Sequence, residues 1–477
     1  MAKTWLRLLA AIAVLSLIAA ACGDDDDTSA GDEPAEESAE EPSDEPADEP
    51  TGQPAGEGLA TEGEVEVASG VTLDLSQCPD DWSPTQGVDG DEIRLGISLP
   101  RSGTLASFGP IADGMQAYFD YVNANDPIDG KEIVLVIRDD AYEAGRTVAN
   151  VQEMLETDDL FAFTFIIGSA NNGAVRPTFD EACVPQLFNA TGLPAWGDPV
   201  NWPWTIGGLL AYNTEATLWC EDIVAEVGEG VTVAGLFANN DFGAAYQQGL
   251  EGCADEGLIE LVANEVHEQG APDITNEMTN MIASDADVFI LGSTGAFCPQ
   301  SVAGVAQSGW RPAFYMSNTC NNLAAFFEPV KDAVALLAAE GSAVRMTLNN
   351  KDFTDPGFAD DEAIQLGKQI LDDAGLSADA GSESTGIIFA NTVEQTLRGA
   401  LELGELNRVT LIASTWNLND TNPYLLDGIN TITDGANDAY TIEGSVISQV
   451  VVQDDELTFE AISDLISVEG QTGVFGG

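Results

Sequence analysis

The sequence predicts an α/β protein of two lobes, each a mostly parallel sheet flanked by helices. Two observations carry this: strand-period and helix-period patterns alternate from Asp91 onward, and the alternation runs through two successive series. A third observation locates the functional edge. In residues 92–114, Ile93, Leu95, Ile97 and Leu99 alternate with Arg94, Gly96 and Ser98, the period of a strand. Pro100 stops that strand, Ser102-Gly103 turns the chain, and Ile111, Met115, Tyr118 and Val122 recur at helical spacing. Strand, Gly/Ser-rich loop and helix place free backbone N–H groups and small hydroxyls at the carboxyl edge of a sheet, where open α/β sheets bind ligands.

The first series continues with a buried strand over 133–137 and a helix over 147–155 with Val148, Val151, Met154 and Leu155 on one side. An apolar strand spans 161–167 and ends at Gly168, Asn171-Asn172-Gly173 opens the next helix, and a short strand over 186–189 ends at Ala190-Thr191-Gly192. Repeated strand–helix units of this kind build parallel sheet covered on both faces. The second series starts with a helix over 214–227 that turns Leu218, Ile223, Val224 and Val227 inward. Strands follow over 231–237, 259–266, 288–291 and 314–316. Two such sheets in one chain imply two lobes with a cleft between them.

The N-terminus reads as a targeting signal. Lys3 and Arg7 precede an apolar core, 8–21, too short for a membrane-spanning helix, so 1–21 is expected to be a signal peptide. Ala19-Ala20-Ala21 suits an ordinary signal peptidase, whereas Ala21-Cys22-Gly23 resembles a bacterial lipoprotein junction with Ala19 where Leu is usual. Lipidating Cys22 leaves Cys78, Cys183, Cys220, Cys253, Cys298 and Cys320, an even set suited to an oxidising compartment. A diacylated Cys22 would anchor the exported chain to the outer face of the cytoplasmic membrane through lipid alone. Residues 22–70, rich in Asp, Glu, Pro, Ser, Ala and Gly and without Lys or Arg, are expected to form an acidic disordered tether. Residues 71–90, with Cys78 and Trp82, form a pre-domain segment tied to the folded body.

The net charge of −66 excludes nucleic acid as a partner, since counterions on phosphate could not be replaced. Catalysis finds little support. His267 is the only histidine, at a strand edge, which rules out a His dyad or a two-His metal site within one chain; it reads as a surface or satisfied loop residue. Cys298-Pro299 and Cys320 suit a disulfide better than a nucleophile or zinc pair, and Asp139-Asp140 is unremarkable among 81 acids. The chain is therefore expected to be no enzyme and to hold neither cofactor nor metal.

Several motifs occur in a specific order: Leu99-Pro100-Arg101-Ser102-Gly103 with Ala106 and Gly109, Arg138-Asp139-Asp140 with Ala149, and Ile167-Gly168. Ala190-Thr191-Gly192, Trp196-Gly197-Asp198-Pro199, Pro203-Trp204-Thr205-Ile206-Gly207 and Tyr212 with Glu215-Ala216 follow. Together they resemble the branched-chain amino acid and amide substrate-binding proteins of ABC importers, of the type I periplasmic-binding fold. The resemblance implies a three-crossover hinge, lobe one over 91–206 and 348–438, and lobe two over 207–347 and 439–477. It implies a monomer that delivers a small amino acid, amide or carboxylate to ABC permease subunits. No Gly-Lys-Ser/Thr phosphate loop is present, so the ATPase would be a separate protein. A ligand-sensing receptor-like module of the same fold, signalling to a regulatory partner, is the alternative.

Carried over by position, Ser102 and Phe108 would line the first loop, and Asn172 stands where the family has a small hydroxyl residue for the ligand carboxylate. Ala190, Thr191 and Gly192 would add backbone N–H groups and a hydroxyl. Tyr212, Phe242, Thr294, Asn318 and Thr319 would face the ligand from lobe two, with Phe242 where Tyr is common. The resemblance also implies a carboxylate for an amino acid's ammonium in the loop after 314–316, yet that loop reads Ser317-Asn318-Thr319-Cys320-Asn321-Asn322, without an acid. For the disulfides, Cys220–Cys253 would join two sequential helices of lobe two and Cys298–Cys320 two successive strand ends, leaving Cys78–Cys183 by elimination.

Overall fold

A computed structural model describes residues 58–377, 379 and 381–470. The expected signal peptide, Cys22 with its expected lipidation, and most of the expected tether lie outside the described residues. The tether's far boundary needs correction. Residues 64–68 are not coil: β1 (Glu64–Ala68) pairs antiparallel with β2 (Val71–Asp74), because Val65, Val67, Val71 and Leu73 alternate inward and are buried. The hairpin is bonded to the body through Asn417 Nδ2 to the Val67 carbonyl, 2.9 Å, and Ala436 N–H to the Ser69 carbonyl, 2.8 Å.

The first sheet contains β3 (Glu92–Leu99), helix α1 (Pro110–Asn125), β4 (Glu132–Asp139), α2 (Ala144–Thr157), β5 (Ala162–Thr164), α3 (Ser169–Ala182), β6 (Gln186–Asn189) and β7 (Thr205–Gly207). Its order is β4-β3-β5-β6-β7 and every pair is parallel. Pro110 opens α1 at a position where its missing N–H costs nothing. The expected strand over 161–167 is cut short at Thr164 because Phe165 turns left-handed, with φ of 47°, and only an isolated bridge joins Ile167 to Ala190.

The second series follows: α4 (Tyr212–Glu226), β8 (Val231–Ala238), α5 (Asp241–Asp255), β9 (Ile259–His267), α6 (Thr275–Ser284), β10 (Val288–Gly292), α7 (Phe297–Ser308), β11 (Ala313–Met316), α8 (Lys331–Ala339) and β12 (Val344–Leu348). The chain then returns to the first lobe with α9 (Glu362–Asp373), α10 (Glu383–Glu402) and α11 (Arg408–Thr415), followed by the short pair β13 (Asn419–Asp420) and β14 (Thr431–Ile432). It crosses back as β15 (Gly444–Gln453), β16 (Glu456–Ala461) and β17 (Ile466–Ser467). The second sheet runs β16-β15-β12-β11-β10-β8-β9, parallel from β12 to β9 and antiparallel at β15 and β16, with β17 beside β15.

Helix α10 lies so close along α1 that a Cβ on Gly114 would stand 1.9 Å from the Glu383 carbonyl oxygen, and one on Gly386 2.1 Å from that of Ile111. Only glycines permit that approach. Arg408 is buried beneath the first sheet and donates to the carbonyls of Phe161 and Leu160 at 3.0 and 2.7 Å; burial lowers its pKa to about 10. Disulfides join Cys78 to Cys183, Cys220 to Cys253 and Cys298 to Cys320, the three pairs expected. The first holds the pre-domain segment to the end of α3, where Trp82 Nε1 also donates to the Cys183 carbonyl at 2.8 Å. Among the described residues no helix is long and apolar enough to cross a membrane.

Candidate ligand-binding site

The carboxyl ends of both sheets open onto one cavity of about 120 Å³. Three chain crossings between the sheets border it, contributing Leu209, Asn349, Asn350 and Ile442. The walls are aromatic. Tyr142, Phe165 and Phe389 come from the first lobe, with the Phe165 and Phe389 rings 4.0 Å apart, and Tyr212 meets Phe242 edge-on at 4.8 Å in the second. Phe108 faces Phe326 across the cleft at 6.1 Å. The polar lining is entirely neutral: five asparagines (318, 321, 322, 349 and 350) and the hydroxyls of Ser169, Thr294, Thr319, Ser382 and Thr385. No charged side chain lines the cavity among the described residues.

Several bonds join the lobes around the cavity. Thr104 Oγ1 donates to the Gln269 carbonyl at 3.2 Å and Asn322 Nδ2 to that of Gly381 at 3.2 Å. Asn321 Nδ2 donates to Asn350 Oδ1 at 2.8 Å. Ser169 is the first residue of α3, so free N–H groups and the positive helix end meet the cavity there. Gly168 before it has φ of 107°, and a Cβ would strike the Tyr142 ring at 2.6 Å.

Of the eleven ligand residues expected from sequence, Phe108, Ala190, Tyr212, Phe242, Thr294, Asn318 and Thr319 line the cavity. The other four do not. Ser102 is exposed and committed to Asp139, to which its hydroxyl donates at 2.6 Å and its N–H at 3.2 Å. Asn172 is fully buried, donating to the carbonyls of Ile166 and Gly168 and accepting from Gln186, so it braces the start of α3. Thr191 stands behind Ser169, their hydroxyls 2.8 Å apart, and Gly192 is packed so tightly that a Cβ would be 2.2 Å from the Leu210 carbonyl. Sequence reasoning missed Ser169, although Gly-Ser directly after an apolar strand signalled it. It also missed Asn349, Asn350, Ser382, Thr385 and Phe389, which lie on crossings and a helix start with no periodic signature.

The family model for periplasmic binding proteins matches residues 92–414. The chain belongs to the periplasmic binding protein family. Its fold is also that of solved members. A substrate-binding periplasmic protein from Ralstonia solanacearum is 21% identical, with a TM-score of 0.63 over 77% of this chain and 100% of that one. A branched-chain amino acid ABC transporter protein from Thermus thermophilus, solved with valine, is 17% identical, with a TM-score of 0.68 over 79% and 96%. A solute-binding protein from Rhodopseudomonas palustris BisB5, in complex with 3,4-dihydroxybenzoic acid, is 16% identical, with a TM-score of 0.64 over 80% and 98%. No curated protein matches the chain. A family of periplasmic binding proteins points to an exported chain that binds a solute.

Beneath the cavity this binding protein buries several ionisable groups. Glu215 on α4 is fully buried, and desolvation pushes its pKa up to about 7 despite bonds from Thr347, Tyr246 and the Asn318 N–H. Asp352, just past β12, is buried and accepts the Leu323 N–H at 2.9 Å; burial raises its pKa too. His267, expected at the surface or in a satisfied loop, is satisfied but buried. Its Nε2 lies 2.7 Å from Ser293 Oγ, its Nδ1 3.2 Å from the Glu268 carbonyl, and its ring 4.2 Å from that of Phe297.

Proposed function

We propose that this chain captures a solute with an apolar body and a carboxylate or amide oxygen, without an obligatory ammonium, and delivers it to an ABC permease. The observation that carries the reading is the uncharged lining. A desolvated ammonium needs an anionic partner or several neutral acceptors, since an unpaired buried charge is very costly. The loop 317–322 offers no acid, and Asp241 and Glu215 are both absent from the lining. A carboxylate or carbonyl oxygen, by contrast, finds the α3 N-terminus, hydroxyls and amide N–H groups. The aromatic walls suit an aliphatic or aromatic body, and structural neighbours include proteins solved with valine and with 3,4-dihydroxybenzoic acid.

The reading includes lobes over 91–206 with 348–438 and 207–347 with 439–477, and a lipid on Cys22 that holds the protein at the outer face of the cytoplasmic membrane. Calorimetry with leucine, isoleucine and valine against acetamide, urea and organic carboxylates tests the ligand class. Binding of a carboxylate or amide without leucine binding is the expected result; tight leucine binding alone overturns it. Mass spectrometry of the native protein tests the anchor, and an unmodified Cys22 refutes it.

A further inference from the structure

Glu215 has three hydrogen-bond donors, all neutral: the Tyr246 hydroxyl on α5, the Thr347 hydroxyl on β12, and the Asn318 N–H at 2.9 Å. The titratable groups that face it are the phenols of Tyr246 and Tyr212; no charged group among the described residues acts on it. A chain of hydroxyls leads from this carboxyl to the cavity. Tyr246 Oη lies 2.8 Å from Ser317 Oγ, and Ser317 Oγ lies 2.9 Å from Thr319 Oγ1, which belongs to the lining. Both of these links join two hydroxyls, so either oxygen can donate.

The direction is set at the Glu215 end. An ionised carboxylate only accepts, so Tyr246 donates to it, Ser317 donates to Tyr246 and Thr319 donates to Ser317. Thr319 then shows the cavity lone pairs alone. A proton on Glu215 resides on Oε2, beside Tyr246, because Oε1 already receives both the Asn318 N–H, a donor that cannot reverse, and the Thr347 hydroxyl. The carboxyl then donates to Tyr246, each link turns round, and the Thr319 hydroxyl is released to donate. Its other acceptor within reach, the Ser293 carbonyl, stands at 3.4 Å.

We propose that Glu215 makes solute capture proton-linked, turning Thr319 into a donor toward an anionic oxygen when protonated and into an acceptor when ionised. This rests on the cavity being the solute site. Because burial brings the carboxyl's titration to about 7, both states are populated near neutrality. An anionic solute accordingly binds with uptake of a proton and loses affinity as pH rises, by about tenfold per pH unit once Glu215 is ionised in the free protein.

Infrared difference spectra of the ligand-free protein between about pH 5.5 and about pH 8.5 test the first half. A protonated-carboxyl band that fades with pH and is missing from Glu215→Gln is expected; its absence from the wild type overturns the proposal whatever the protein binds. Calorimetry with benzoate and benzamide as probes tests the second half. Benzoate affinity falls with pH in the wild type more steeply than benzamide affinity. It stays at the low-pH value in Glu215→Gln, whose amide donates to Tyr246 as the protonated acid does, and Thr319→Val removes the slope. Wild-type titrations in two buffers of different ionisation enthalpy count the protons without a variant. Parallel pH slopes in wild type and Glu215→Gln, or no proton uptake with benzoate, overturn the proposal while leaving the solute reading intact. A titrating band with neither probe bound at any pH counts against the solute reading, and the proposal falls with it.

Discussion

Cys320 is bonded to Cys298 across 6.1 Å between their Cα atoms, joining the loop that carries Asn318 and Thr319 to the helix that follows Thr294. Both cysteines are fully buried, and residues from both sides of the bridge line the cavity. The bond therefore fixes the spacing of the second lobe's polar contacts. Replacing the pair by serines is expected to lower stability by about 3 kcal/mol, from the loop-closure entropy returned to the unfolded chain. Affinity for any solute of this cavity falls as well, since the loop must be ordered on binding. Urea melts and calorimetry measure the two effects, and unchanged affinity would remove the loop from the site.

Phe389 faces Phe165 on the first-lobe wall. Phe389→Ala removes one of the first-lobe rings that line the cavity, and, if the solute lies against that wall, is expected to weaken binding by about tenfold or more. The stability cost is about 3 kcal/mol, because the ring is largely buried. A titration of the best solute against this variant checks it. Equal affinity in wild type and variant would place the solute against the other wall.

How much of this was legible in the sequence differs by residue. The strand 92–99 and the loop after 313–316 were readable because alternation and turn residues are local signals. Phe108, Thr294, Asn318 and Thr319 followed from their place in the motif order, since strand ends of one topology converge on one edge. Asn172 was misplaced because it shares a face of α3 with Ser169 one turn away, and only Ser169, at the helix start, reaches the cavity, while Asn172 is spent on the carbonyls of Ile166 and Gly168. Phe389 and Ser382 escaped because they reach the site through the close crossing of α10 on α1, a long-range contact that leaves no period. Residues 64–68 escaped because two valines between acids read as tether until β2 supplies the partner strand.

That helix crossing is itself testable. A Cβ on Gly386 would meet the backbone of Ile111 and Met115, the latter at 2.5 Å, and backbone cannot swing aside as a side chain can. Gly386→Ala is expected to destabilise the protein by about 2 kcal/mol or more despite the better helix propensity of alanine. It should also weaken binding, because Ile111, Ile388 and Phe389 all line the cavity. Denaturant midpoints give the first number and titration the second; a stabilised variant would show that the two helices are free to separate.

The last prediction uses the single histidine. Burial depresses the His267 pKa below its ordinary value of 6.5, and the ring is held neutral. Nδ1 faces the Glu268 carbonyl and must carry the proton, which leaves Nε2 to accept from the Ser293 hydroxyl. The folded state therefore binds fewer protons than the unfolded state between the depressed value and 6.5. This contribution to stability is present above 6.5 and is lost as pH falls through that window. His267→Gln keeps a donor and an acceptor but cannot titrate, so its melting temperature should fall less than the wild type's on acidification. Because no other histidine exists, the imidazole C–H resonances assign themselves, and their titration gives the value directly. A midpoint above 6.5 would mean the ring is charged in the fold and would reverse the predicted sign.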